Sequence, residues 1–364
     1  MNDSDQGIIP VFIGSYSAGG ENAGIYVHDL DLSSGALEPV SAVSGLQNPS
    51  FLALHPTRRV LYAVIETAQG AVTALSYDED FELTAHGSCP TGGSPCHLMV
   101  DATGRFVVAA NYGGGSVCMI PLRADGNVEG EASDFVQHQG SSVHDRQAEP
   151  HAHSITIDPG NRFAFAADLG LDKIMIYQLD FDAGKLRPHG TQPFAQTPAG
   201  AGPRHMTFSP NRLLAFVINE IDNTITSFNF DESAGTLETV ETVSTLPDNF
   251  NGDSGTADIH FEPSGRFLYG SNRGHDSIAI YAVDGASGRL QTRGHVLTGG
   301  QNPRSFAIDP SGNFLLAANQ STNDIHTFRI NQDDGSLAPT GHVVEIQAPV
   351  SMQFHPSPRP PDRS

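Results

Sequence analysis

The chain contains no tryptophan and only two lysines, Lys173 and Lys185, in 364 residues. Without tryptophan there is no Trp-Asp dipeptide of the kind that marks WD40 repeats. Scarce lysine leaves arginine as nearly the whole cationic complement, set against a formal net charge of −22. Nucleic acid and anionic membranes are held by basic surfaces that release counterions, so neither is expected as a partner. The same imbalance makes any local gathering of arginines informative. Cysteine is sparse as well. Cys89, Cys96 and Cys118 are odd in number and lack Cys-x-x-Cys spacing, which signals neither a disulfide framework nor a zinc site and suits small buried hydrophobes. No apolar run approaches the roughly 20 residues that cross a bilayer, and the start MNDSDQGIIP lacks the charged and apolar regions of a secretory signal. A cytoplasmic location is expected.

What the chain does have is turns and a core: 38 Gly and 24 Pro, with 38% hydrophobic residues including 20 Phe. It also repeats. A small or Pro-containing start, an alternating strand, a turn and a second apolar strand recur as NPSFLALHPTRRVLYAVIE from Asn48, SPCHLMVDATGRFVVAANY from Ser94 and AHSITIDPGNRFAFAADL from Ala152. They return as GPRHMTFSPNRLLAFVINE from Gly202, TADIHFEPSGRFLYGSNR from Thr256, NPRSFAIDPSGNFLLAANQ from Asn302 and APVSMQFHP from Ala348. The turn position falls on His55, Asp101, Asp158, Ser209, Glu262, Asp309 and His355, at spacings of 46, 57, 51, 53, 47 and 46 residues. Units of this length with two further strand-like runs between turns are propeller blades.

The last copy stops after its first strand, and VFIGSYS near the N-terminus reads as a second strand. The pattern therefore predicts an all-β, seven-bladed β-propeller with four antiparallel strands per blade, closed by pairing the N- and C-terminal strands in one blade. One domain is expected over residues 8–357, with residues 1–7 and 358–364 as flexible ends. Closure leaves no edge that demands a partner, so a monomer is expected.

Comparing the copies with one another separates scaffold from site. Ten residues beyond the turn stand Asn111, Asp168, Asn219, Asn272 and Asn319, a recurrence that marks them as structural caps or bridges between blades. One residue further on the copies diverge toward chemistry at Glu220 and Arg273. Five and four residues before the turn they diverge again, at His153, Arg204 and Arg304, then at His205 and Asp258. Both registers open at one mouth of the central channel, which is expected to gather these residues together with His151 and His260. Two polar connections, Gln137 to Pro150 and Leu246 to Ala257, are expected to roof it or to be plain surface loops.

Arg204, Arg273 and Arg304 on one face of an acidic chain suit a carboxylate or phosphate, which guanidinium binds in bidentate fashion, or else inter-blade salt bridges. Glu220 could serve as general base, or as a partner for Arg204 or Arg273. His151 and His153, two apart on an extended strand, could hydrogen-bond substrate, move a proton, hold a metal or be structural; no third metal ligand is identifiable by spacing. No Gly-x-Ser-x-Gly elbow, Walker loop or dinucleotide fingerprint is present.

Through PHAHS at Pro150, GAGPRHM at Gly200, VINE at Val217, LPDNF at Leu246, ADIHFEPSGRFLYGSNR at Ala257 and NPRSFAIDPSG at Asn302, the chain resembles the lactonase family of seven-bladed propellers. That family includes bacterial 6-phosphogluconolactonases and fungal carboxymuconate-lactonizing enzymes. The resemblance implies an active site of a His, an Arg, a Glu and a second Arg, falling on His151 or His153, Arg204, Glu220 and Arg273, with no metal or cofactor. It implies hydrolysis of a sugar-derived, anionic lactone, 6-phosphogluconolactone being the leading candidate. The other residues that the registers bring to the mouth, His205, Asp258, His260 and Arg304, are expected to bind the substrate. Cycloisomerisation of a muconate-type dicarboxylate and a non-catalytic binding propeller are the competing readings.

Overall fold

The computed structural model describes residues 7–17 and 19–358. Residues 1–6 and 359–364, most of the ends expected to be flexible, lie outside the described residues. The described strands form seven antiparallel sheets. Their innermost strands are Leu52–Leu54, Pro95–Val100, Ala152–Ile157, Pro203–Phe208, Gly255–Phe261, Pro303–Ile308 and Pro349–Phe354. Each touches the next in a closed cycle around a central channel. The seventh blade is the expected composite: Pro349–Phe354 pairs with Ile8–Ser15, which continues outward through Ala23–Asp31 and Leu37–Ser44. Among the described residues the only departure from four strands per blade is in the third, where the outermost strand is split into Lys185–Pro188 and Phe194–Gln196. Pro188 and Pro193 bracket the break, since proline cannot donate to the ladder.

Second strands such as Phe106–Asn111, Leu214–Asn219 and Phe314–Asn319 are buried along their whole length, because a blade presses on both of their faces. That explains why they read as continuous apolar runs rather than alternating ones. Seven apolar clusters fill the seven interfaces between blades. Phe12, Val27, Leu61 and Leu75, for example, join the seventh blade to the first.

The recurring Asn register is structural, as its regularity implies. Asn111 and Asn272 donate Nδ2 both to the serine that starts the next strand and to a carbonyl of the preceding blade, Thr91 and Thr245. The third blade substitutes an acid and a histidine at these two places: Asp168 Oδ2 lies 2.6 Å from His138 Nδ1, and His138 Nε2 lies 2.8 Å from the Tyr177 hydroxyl, all buried. Cys89, Cys96 and Cys118 are free and buried.

Candidate active site

Near the start of the inner strands, ladder pairing skips a residue. Pro95 faces Asn111 and His97 faces Ala110; the same step recurs from Ala152 to Ser154, Pro203 to His205 and Pro303 to Ser305. The skipped residues are Cys96, His153, Arg204 and Arg304. A bulge bends the strand and re-aims the extra side chain, so that neighbours such as Arg204 and His205 both reach the channel instead of alternating. In the fourth blade the approach to the bulge runs through Gly202 at φ 68°, where a Cβ would meet Ile221 Cγ1 at 2.7 Å. Only glycine fits both the conformation and the space.

At the mouth, the carboxylate of Glu220 is held by three arginines. Oε2 accepts from Arg204 Nε at 2.9 Å and Arg273 Nη2 at 2.8 Å, and Oε1 accepts from Arg146 Nη2 at 2.5 Å. Burial alone would raise the pKa of Glu220, but Arg273, Arg204 and Arg146 together bring it down to about 2. A carboxylate so saturated is a poor proton acceptor at neutral pH. Burial, with Arg304 and Arg273 close by, lowers Arg204 to about 10, still charged at neutral pH. Arg204 also donates Nη1 to the Ala257 carbonyl and to His205 Nε2. Arg273 donates Nε to the Gly255 carbonyl and Nη2 to that of Thr256. This leaves Arg204 Nη2 and Arg273 Nη1 without acceptors among the described residues.

Arg304 has no ion-pair partner among the described residues; its guanidinium lies 5.3 Å from the centre of the Tyr16 ring. Tyr16 donates its hydroxyl to Glu66 Oε2 at 2.9 Å, which also accepts from Ser50. Burial works against the charge of Arg304, yet Tyr16, Glu66 and Glu220 keep its pKa raised.

The two histidines flank one ring: His151 stacks on Tyr112 at 4.6 Å and His153 meets its edge at 5.3 Å. His151 Nδ1 lies 3.0 Å from the Tyr112 carbonyl, so Nδ1 carries a proton, and Nε2 is the nitrogen that bears the lone pair in the neutral ring. Its backbone N–H is fixed by Asp168 Oδ1 at 2.8 Å. His153 Nε2 is 3.9 Å from Glu220 Oε2, and burial followed by the charge of Arg204 keeps its ring neutral, with a pKa well below the usual value. Among the described residues no three His, Cys, Asp or Glu side chains are placed to hold a metal ion. The Cys96 thiol is pushed up by burial and donates to the His153 carbonyl, so it is no nucleophile.

Three expectations are corrected. His260 does not face this mouth. It sits three residues further along its inner strand than Ala257, the counterpart of Arg204, and lines a cleft of about 430 Å³ with Phe51, Leu98 and Phe354 near the turns at the opposite end of the channel. His205 and Asp258 lie between the two levels: the His205 ring packs against those of Phe51, His97 and His153 and meets Arg204 Nη1 from below at 3.2 Å, and both residues line a small pocket with His260. The connection from Gln137 to Pro150 is not uniformly exposed: His138 and Gln147 are buried, and Asp145–Gln147 forms a 3-10 turn. That loop does roof the site, through Arg146.

The residues missed are Arg146, Tyr112 and Asp172. Buried Asp172 accepts from Ser142 Oγ and Gln147 Nε2 of the roof loop and from the backbone N–H groups of Gly200 and Gly202. It thereby ties Arg146 to the strand that carries Arg204. Asn223, Asp276 and Asn323 hold the same left-handed turn position in later blades, a recurrence that could have flagged it.

Residues 10–354 match the family model described as "Lactonase, 7-bladed beta-propeller". The 6-phosphogluconolactonase of Bacillus subtilis is 37% identical over 298 residues, covering 81% of this chain and 83% of that protein. That of Serratia proteamaculans is 35% identical over 293 residues, covering 80% and 84%. Among solved structures, the periplasmic gluconolactonase of Pseudomonas aeruginosa superposes with a TM-score of 0.90 at 31% identity, covering 95% of this chain and 99% of that one.

Proposed function

The chain belongs to the lactonase family of seven-bladed β-propellers, and from that membership we propose that it hydrolyses a sugar-derived, anionic lactone, 6-phosphogluconolactone being the best-supported substrate. The observation that carries this reading is the charge of the mouth. Four guanidinium groups, Arg146, Arg204, Arg273 and Arg304, stand around two carboxylates, Glu220 and Glu66, and Arg304 has neither as its own ion-pair partner. In a chain of net charge −22 this surplus of about two positive charges matches a phosphate monoester, which carries roughly −1.5 to −2 at neutral pH.

In the proposed reaction Arg304 and Arg146 take the phosphate. The free N–H groups of Arg204 Nη2 and Arg273 Nη1 receive the carbonyl oxygen as it becomes an oxyanion, a contact worth roughly 3–4 kcal/mol for a well-placed donor. His151 Nε2 removes a proton from the attacking water, whose oxygen bonds to the carbonyl carbon. As the ring C–O bond breaks, the imidazolium returns that proton to the leaving ring oxygen, and the new carboxylic acid ionises into solvent. Glu220 orients the guanidinium groups rather than taking the proton, and His153 forms the neutral wall beneath. No step requires a cofactor.

The test is hydrolysis of 6-phosphogluconolactone beside unphosphorylated gluconolactone, in chelator, with the spontaneous rate subtracted, for wild type and Arg204→Ala. Chelator-resistant turnover that favours the phosphorylated lactone and collapses in the variant is expected. No turnover of either lactone, with activity on carboxymuconates, would replace this reading by cycloisomerisation. We also propose a cytoplasmic monomer folded as one domain over 8–357; among the described residues no helix is long and apolar enough to cross a membrane.

A further inference from the structure

We infer that Asp258 and His205 form a positioning dyad that fixes the guanidinium of Arg204 from below, rather than contacts to substrate; the inference rests on the oxyanion role proposed for Arg204. The two residues lie in adjacent blades and beneath the mouth. Asp258 can only accept in its surroundings. Oδ2 takes the Ser305 hydroxyl at 2.9 Å, and Oδ1 takes the Ile259 N–H at 3.0 Å and faces His260 Nε2 at 3.2 Å.

Oδ1 also lies 2.9 Å from His205 Nδ1, so that nitrogen carries a proton. Nε2 of His205 is 3.2 Å from Arg204 Nη1, which always donates, and must therefore present a lone pair. Both contacts are satisfied only by the neutral Nδ1–H tautomer. Burial, then the charge of Arg204, disfavours a second proton on the ring, in agreement with this assignment.

The consequence falls on Arg204. Nε is held by Glu220, and Nη1 by His205 and the Ala257 carbonyl, so the plane of the guanidinium is set on two sides. Nη2 remains as the pair of donors left for a ligand. With the wrong tautomer, an N–H at His205 Nε2 would point at the N–H of Nη1, and the plane would tilt. An ångström of misplacement at a reacting group can cost about 10²-fold in rate.

The experiment uses three variants of the full chain and one spectroscopic readout. In Asp258→Leu no acceptor faces His205 Nδ1, so the Nδ1–H tautomer loses its hold; kcat on the lactone is expected to fall about 10²-fold with KM within about twofold. In His205→Leu the acceptor is lost and the same fall is expected. In His205→Gln the side-chain carbonyl can accept from Arg204 while the amide donates to Asp258, and most of kcat should return. Long-range ¹H–¹⁵N spectra of the imidazoles should show His205 protonated at Nδ1 in wild type and with its proton shifted toward Nε2 in Asp258→Leu. Wild-type kcat in Asp258→Leu, a His205→Gln variant no better than His205→Leu, or an Nε2–H ring in wild type would each overturn the dyad. If wild type hydrolyses no lactone, the proposed reaction fails, and the spectra still decide the tautomer.

Discussion

Arg146 Nη2 reaches Glu220 Oε1 at 2.5 Å across 74 residues of sequence, from a roof loop to the end of a second strand. Its side chain is 46% exposed, whereas that of Arg204, on the other carboxylate oxygen, is 2% exposed. The two bonds therefore differ in what they support. An exposed pair adds at most about 1 kcal/mol to stability, while breaking a buried one costs roughly 3–5 kcal/mol because a charge is stranded.

Arg146→Ala should accordingly leave the unfolding midpoint nearly unchanged and raise KM for a phosphorylated lactone about tenfold, the worth of one charge-assisted hydrogen bond to the ligand. Arg204→Ala should lower both kcat and the midpoint. Steady-state kinetics paired with denaturant titration separates the two. Equal loss of stability in both variants would mean that Arg146 is part of the scaffold.

Asp172 supports a second prediction. Its two oxygens join Ser142 and Gln147 of the roof loop to the backbone at Gly200 and Gly202. Asp172→Ala leaves the buried Gln147 amide and two backbone N–H groups short of an acceptor, each costing about 1–3 kcal/mol. The variant should lose stability, and protease should cut first between residues 139 and 149, where the loop is released from its anchor. KM should rise as it does in Arg146→Ala, because Arg146 loses its placement. Unchanged proteolysis would show that His144, whose ring accepts the Arg146 N–H and whose own N–H bonds Gln147 Oε1, holds the loop without Asp172.

The scaffold was legible because seven copies of one unit repeat in the chain, and the half-copies at its two ends can only complete each other. Arg204, Glu220, Arg273 and Arg304 were legible for the same reason: their two registers vary from copy to copy toward charge, although Arg204 and Arg304 share one register and Glu220 shares the other with Glu66. Arg146 has no siblings, since the roof loop occurs once, and a loop residue's reach cannot be read from spacing. The bulges were hidden as well. Strict alternation would send Arg204 and His205 to opposite faces, and only the skipped ladder pair turns both into the channel. His260 was placed at the wrong end because a register says which face a residue takes, while its depth follows from the rise of about 3.3 Å per residue along the strand.

The acid limb of stability provides the last prediction. Folding depresses the pKa of Glu220 from an ordinary 4.5 to about 2. A group whose folded pKa lies below its unfolded one stabilises at pH values above the unfolded pKa, and that contribution is lost as pH falls through the folded pKa. The window is therefore about pH 4.5 down to 2, and the shift corresponds to an order of 3 kcal/mol. In Glu220→Gln no carboxylate titrates there, and Arg204 and Arg273 keep their charges without a counterion, so the variant should be less stable than wild type at pH 7. The gap should close as wild type protonates, the two curves converging near pH 2. Urea midpoints measured from pH 7 to 2 test this directly: parallel curves would mean that the arginines relax away from the amide, and that Glu220 is not what keeps them together.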